Sequence, residues 1–254
     1  MLRSVSGVSS VGTISQAQAI KYAQNRGKGF QLFDWEMHKD VGNLHFFKYG
    51  NTDSQGVCGY GTNNYQKVTG LTNALGIRDT VSYYKEKGGS NPQAEGAYRD
   101  GVNYQSVNVL GYENFQGNKA EWLQYVTVNK TAADGRWFIT MPDGTERVVQ
   151  GITVYNADIY PTHMVWGRYM DLIAAKEGGS TSSHWFDRFY VGTGLSRVVF
   201  RSSNHANALG GVSYANAYND SSSANANIGV RLAFRGIIRW AGSVAAFKAI
   251  NQAD

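Results

Sequence analysis

The sequence predicts an α+β fold in which helices pack on a twisted antiparallel sheet and long loops join the elements. Three observations carry that expectation. Residues 15–50 read as helix, short strand, helix, which suggests two helices laid on a sheet. Residues 125–149 read as hairpins, with short alternating runs separated by turn residues. The chain also has 30 glycines and 3 prolines in 254 residues, a balance that suits turns built on positive φ.

The first helix runs from Gln16 to Asn25, with Ser15 as N-cap and Ala19, Ile20, Tyr22 and Ala23 near one face. Gly27 and Gly29 end it. Phe30-Gln31-Leu32-Phe33 reads as a short strand. Asp34 caps a second helix that passes through Val41, Leu44, Phe46, Phe47 and Tyr49 and stops at Gly50. Residues 51–104 form a long insert rich in Gly, Asn and Tyr, with loop signals at 59–64 and 87–92. Strand-like runs follow at 107–115, 125–128, 137–141 and 147–149, the last two joined by a Pro142-Asp143-Gly144-Thr145 turn. Ile152-Thr153-Val154-Tyr155 comes next, and a Gly/Ser joint at 178–183 leads to Trp185-Phe186-Asp187-Arg188-Phe189-Tyr190. The expected organisation is an N-terminal extension over 1–14 and one domain over 15–254.

Residues 202–227, SSNHANALGGVSYANAYNDSSSANAN, sit between the apolar run Val198-Val199-Phe200 and the strand-like Ile228 to Phe234. The stretch holds no Lys, Glu, Gln, Met or Trp. Randomising both adenines of an Asn codon that ends in a pyrimidine excludes those five residues and stop codons. It permits every residue type present. This is the composition that adenine-directed mutagenesis leaves on an Asn-rich template. A flexible linker shares the Asn/Ser/Gly/Ala bias. Strand signals on both sides, and the residues His205, Leu209, Tyr214 and Tyr218, favour a folded variable surface instead.

Hydrophobic residues make up 42% of the chain and aromatics 13%, enough for a sizeable core. The net charge of +5 is scattered and forms no phosphate-tracking stripe, so nucleic-acid binding is not expected. Cys58 is the only cysteine, which excludes an intramolecular disulfide and a paired-thiol redox site. No run approaches the ~20 apolar residues that span a bilayer, and the first residues lack the apolar core of a signal peptide. No membrane insertion is expected.

Three segments together resemble a known family. Val198-Val199-Phe200-Arg201, the polar stretch and Asn227-Ile228-Gly229-Val230-Arg231-Leu232-Ala233-Phe234 resemble the end of C-type-lectin-fold proteins of the formylglycine-generating-enzyme type. Gly117-Asn118-Lys119-Ala120-Glu121-Trp122 resembles that family's Gly-Asn-Val-Trp-Glu-Trp motif. Gln18 to Ala23, Phe30-Gln31-Leu32 and Trp35-Glu36 resemble its N-terminal helix, strand and second helix. The resemblance spans roughly residues 15–236 and is poor in the middle. Within the family the chain looks most like the variable proteins of diversity-generating retroelements. It departs at Ser202-Ser203, where the family has Gly-Gly, and at Val230, where an aromatic is usual. The enzyme's paired cysteines, the histidines of related sulfoxide synthases and the calcium lectins' Glu-Pro-Asn triplet have no counterpart.

The resemblance implies a C-type lectin fold and a binding protein rather than an enzyme, without cofactor. Its partner would be a protein or glycan receptor on a target cell surface. A phage tail tip or a cell surface is the expected location, and a homo-oligomer is compatible with the sequence. The alternatives are an inactive relative of the metalloenzymes and a structural virion component. The candidate contact residues are Ser203, Asn204, His205, Asn207, Leu209, Ser213, Tyr214, Tyr218, Asn219, Asp220, Ser222, Ser223, Asn225 and Val230. They match the Tyr/Ser/Asn palette of natural paratopes. By the resemblance, alternate residues point outward and the Ala and Asn residues between them inward. Trp122 is expected in the core, with Glu121 bonded to backbone. His38 and His45, seven apart on the second helix, are weighed as polar core or surface residues before metal ligands. No motif places a nucleophile beside His184.

Overall fold

The computed structural model describes residues 2–3, 5–59, 61, 69–70, 72, 76–82, 107–130, 137–140, 145–149, 157–165, 173–180, 182, 187–192, 197–201, 210–237 and 241–246. The expected features at 62–68, 87–92, 141–144, 152–155 and 183–186 lie outside them.

The N-terminal part follows the local signals closely. Helix α1 is Gln16–Gln24 and begins in a complete capping box: the Ser15 side chain accepts from the Gln18 N–H and Gln18 answers the Ser15 N–H. Ala19 and Ala23 are buried, whereas Tyr22 faces solvent. Strand β1 is Phe30–Leu32. Helix α2, Trp35–Tyr49, starts on the Asp34 carboxylate and ends at Gly50 in the left-handed conformation, φ 62°. Gly50→Ala is expected to cost about 1 kcal/mol, read as a lower urea midpoint, because only glycine takes that φ without strain. Helix α3 is the short Ser54–Cys58.

The remaining elements are β2 (Asn108–Val109), β3 (Tyr112–Glu113), β4 (Ala120–Lys130), β5 (Trp137–Thr140), β6 (Glu146–Val149), β7 (Ala157–Ile159), β8 (His163–Val165), β9 (Ile173–Lys176), β10 (Phe189–Val191), β11 (Arg197–Arg201), β12 (Ala215–Ala217), β13 (Ile228–Gly229) and β14 (Leu232–Phe234). The molecule is a mixed α+β protein. Its main sheet has the order β6-β5-β4-β11-β12-β10-β7, with β13 on the start of β4. Most pairings are antiparallel, as expected. Among the described residues two strand pairings are not: β10 runs parallel to β12, and β13 runs parallel to β4. Both join segments far apart in sequence, so no hairpin signal announces them.

Strand β4 organises the interior. Its successive side chains point to opposite faces. Trp122 joins a cluster with Ala19, Ala23, Leu32, Tyr214 and Ile228. Leu123 joins a second cluster with Phe33, Trp35, Val41, Phe115 and Ala215. Helices α1 and α2 thus cover opposite faces of this end of the sheet. Trp122 Nε1 donates to the Ile14 carbonyl at 3.0 Å, so the indole is satisfied while buried. Among the described residues Glu121 does not bond to backbone, against expectation. It accepts a two-pronged contact from Arg231, at 2.7 Å and 3.1 Å.

Strand β14 pairs with β1, so the two ends of the domain meet: Phe30 faces Phe234 and Leu32 faces Leu232. The N-terminal extension packs on this body. Leu2 and Ile14 are buried, the Leu2 N–H donates to Tyr22 O, and the Thr13 N–H donates to Asn225 O. Part of the long insert is tied down as well. The buried Glu113 carboxylate accepts from the N–H groups of Gly70 and Thr72. His38 and His45 are both interior. The His38 ring lies 4.5 Å from the Phe115 ring, and burial, reinforced by Arg201 and Arg231, lowers its pKa well below the usual value. Burial likewise pulls His45 down to about 4. Both are neutral core residues at physiological pH.

Candidate functional site

The polar stretch is described from Gly210 onward; Ser203, Asn204, His205, Asn207 and Leu209 lie outside the described residues. From Gly210 the backbone is held at one point after another. The Gly210 N–H donates to Gln55 Oε1 at 3.0 Å and the Val212 N–H to Ser54 Oγ at 2.9 Å, so α3 takes two donors of the turn. The buried Asp187 carboxylate takes three more: Gly211 N–H at 2.6 Å, Ser213 N–H at 3.0 Å and Ser213 Oγ at 2.6 Å. Arg201, at the end of β11, donates to the Val212 carbonyl at 2.8 Å and stacks over Trp35 at 4.8 Å. A side chain at Gly211 would meet Ser54 Oγ at 2.1 Å, so glycine is required for this approach.

This staple has a strong electrostatic character. Burial pushes the Asp187 carboxyl up to about 6, although three partners, Ser213, Gly211 and Arg201, pull the other way. Burial also lowers Arg201 to about 9, with Asp187 opposing. The hydrogen bonds and the opposed charges offset much of the desolvation cost but not all of it.

Two expected contact residues are therefore interior. Ser213 is buried against Asp187. Tyr214 is 3% exposed and belongs to the Trp122 cluster. The staple turns Tyr214 inward, where Asn216 Nδ2 donates to its hydroxyl at 3.1 Å and Arg188 lies 5.5 Å from its ring. Burial raises its pKa. Val230 is also corrected: it is half-buried and packs on the same cluster. An apolar residue next to the β13–β4 pairing gains more from that contact than from solvent.

Of the Ala and Asn residues expected to point inward, β12 buries the two alanines and leaves the Asn partly accessible. Ala215 and Ala217 are buried and Asn216 between them is half-buried. Beyond it the chain turns outward. Tyr218 is 56% exposed and meets Tyr190 edge-on at 5.6 Å. Asn219 is half-buried, Asp220, Ser222 and Asn225 are exposed, and Ser223 is half-buried. The Asp220 carboxylate accepts from the Ser222 hydroxyl at 2.6 Å and the Ser222 N–H at 2.9 Å, closing a tight turn. The Ser222 hydroxyl, with its N–H, draws the Asp220 pKa down.

The return path is pinned too. Ser221 O accepts from Ala17 N–H, Ala226 O from Lys119 Nζ at 2.7 Å, and Asn227 O from Ala120 N–H at 3.1 Å. The result is a fixed backbone that carries Asn216, Tyr218, Asn219, Asp220, Ser222, Ser223 and Asn225 on one accessible stretch.

Residues outside the polar stretch complete this face. Strand β10 lies beside β12 in the register Tyr190↔Asn216, which brings Tyr190 and its neighbour Arg188 to the patch. Arg188 pairs with Asp158 of β7 at 2.9 Å. Sequence reading missed Asn216, Arg188, Tyr190 and Asp158. The alternation of Phe189 and Tyr190 marks a strand, but nothing local says which strand lies beside it. No protein-family model matches the chain. No curated protein matches it either.

Proposed function

We propose that this chain is a ligand-binding protein that contacts its partner through residues 216–225 together with Arg188 and Tyr190. The observation that carries this reading is the contrast between backbone and side chains. The backbone from Gly210 to Ile228 is tied to α3, Asp187, Arg201, α1 and β4, yet most side chains of 216–225 project to solvent. A binding surface needs this contrast, because ordering a mobile loop on contact would consume the affinity gained. Tyr, Asn and Ser on such a frame offer aromatic area and adaptable hydrogen bonds.

The further reading is a C-type lectin fold of the retroelement variable-protein type, with a protein or glycan receptor on a target cell surface. The site would then act at a phage tail tip or on a cell surface. The paired chain ends at β1–β14 and the composition of 202–227 support it. The lone Cys58 argues against the family's thiol chemistry: it is buried, and burial pushes its pKa far up.

Labelled protein is to be applied to a panel of whole bacterial cells and to a glycan array. The triple variant Asn216→Ala, Tyr218→Ala, Asp220→Ala is expected to stay cooperatively folded, with an unfolding midpoint lowered by the lost Asn216–Tyr214 and Asp220–Ser222 bonds, and to lose binding by at least about tenfold. Binding that survives in the folded triple variant places the contact elsewhere. Gene sequences from sibling isolates give an independent check. Changes concentrated at adenine positions within 202–230 support diversification, and uniform drift removes it.

A further inference from the structure

Strand β12 lies between two others: β11 pairs with it through Phe200↔Asn216 and β10 through Tyr190↔Asn216. Asn216 therefore stands on a backbone held from both sides. Its side chain links the residues two before and two after it. Asn216 Nδ2 donates to the Tyr214 hydroxyl at 3.1 Å, and the Tyr218 N–H donates to Asn216 Oδ1 at 2.9 Å. The second bond is an Asx turn, in which a side chain takes a backbone donor two residues on. One half-buried amide thus joins a tyrosine that is 3% exposed to one that is 56% exposed. The buried end of this relay is anchored in its turn. Arg188 reaches the Tyr214 hydroxyl and pairs with Asp158 of β7 at 2.9 Å. The exposed end is fixed at further points. The Gly192 N–H donates to the Ala217 carbonyl at 3.1 Å, immediately before Tyr218. A Cβ on Gly192 would stand 3.2 Å from Tyr218 Cα, so the two segments pass close together. The Tyr218 ring meets Tyr190 edge-on at 5.6 Å.

We infer that Asn216 is a positioning residue: it holds Tyr218 as the principal partner-contacting side chain and does not itself meet the partner. The inference rests on the function proposed for residues 216–225 and assigns roles within that site. Tyr218 supplies the only ring in 216–225, and rigid aromatic anchors dominate contact energies where their neighbours are small and polar. An anchor on a mobile backbone would lose much of that gain to ordering. Asn216 removes the loss, because both ends of its amide are engaged inside the protein and one of them sets the Tyr218 backbone. The buried Tyr214 then serves the site as the fixed end of the relay.

The test uses the full chain and two readouts. The first is amide hydrogen exchange without any partner. Asn216→Ala is expected to speed exchange of the Tyr218 N–H by about tenfold or more. The Gly211 N–H, which Asp187 holds, is expected to exchange as in the parent, which shows that the fold and the staple persist. The second readout is binding of labelled protein to those bacterial cells of the panel that the parent labels. Asn216→Ala and Tyr218→Ala are each expected to weaken it by about tenfold or more. The double variant is expected to bind no more weakly than Tyr218→Ala alone, because Asn216 acts only through Tyr218. Asn216→Asp keeps the acceptor for the Tyr218 N–H and lets the Tyr214 hydroxyl donate instead of accept, so it is expected to bind within about twofold of the parent. Unchanged Tyr218 exchange in Asn216→Ala overturns the inference. So do losses that add in the double variant, which would make Asn216 a contact, and a loss in Asn216→Asp as large as in Asn216→Ala. Parent-like binding by Tyr218→Ala overturns both this inference and the proposed function, whereas the first three outcomes leave the proposed function standing.

Discussion

Asp187→Ala is expected to destabilise the protein by about 3–5 kcal/mol, read from urea unfolding. The substitution strands the N–H groups of Gly211 and Ser213, which both donate to this carboxylate in the interior. It also removes the counter-charge that opposes the desolvation of the buried Arg201. Loss of the staple should reach the binding surface as well, because the Gly210–Ser213 turn sets where β12 begins. Asp187→Asn keeps the shape but points an amide N–H at backbone donors, and an intermediate loss is expected.

The pH dependence separates the two variants from the parent. The Asp187 carboxyl stands at about 6 in the folded chain against an ordinary value of 3.8. A folded value above the unfolded one means that the folded state holds the extra proton. The contribution of this group is greatest below about pH 4 and declines as pH rises through 6. The span corresponds to about 3 kcal/mol. Asp187→Asn should flatten this part of the stability profile. A profile between pH 4 and 7 that is identical in parent and Asn variant would show that the carboxyl is not held in this way.

Trp122→Ala is expected to cost about 3–5 kcal/mol by the same measurement. The indole is fully buried between α1, β1 and the Tyr214–Ile228 side of the interior. Its removal opens a large cavity at the point where the N-terminal extension, the first helix and the polar stretch converge. The Ile14 carbonyl loses its donor at the same time. Trp122→Phe should recover most of the packing and leave a residual loss of about 1–2 kcal/mol for the orphaned carbonyl. A cost for Trp122→Ala under about 1 kcal/mol would contradict this placement at the convergence of the two chain ends.

The helices were legible because their signals are local. Ser15 with Gln18, and Asp34 with Gly50, state where each helix starts or stops within one turn of chain. The burial of Trp122 was expected from the resemblance of Gly117-Asn118-Lys119-Ala120-Glu121-Trp122 to a family motif, and not from local patterning. The partner of Glu121 was not, since Arg231 lies 110 residues away in sequence. Tyr214 and Tyr218 illustrate the limit most clearly. They share a residue type and a polar neighbourhood, four positions apart. One is core and the other is solvent-facing, and the difference lies in Asp187, Ser54 and Arg201, which reach the turn from three other elements.

By itself the amino-acid order determined the mixed helix-and-sheet character, the caps, the hairpin run and the compositionally unusual stretch near the carboxyl end. These follow from propensity, periodicity and residue chemistry over a few neighbouring positions. Only the tertiary structure decided which residues of that stretch face outward and that Arg188, Tyr190 and Asp158 stand beside them. Each of these depends on strand pairing and buried polar contacts between distant segments, where the free energy belongs to the pair and is written in neither segment alone.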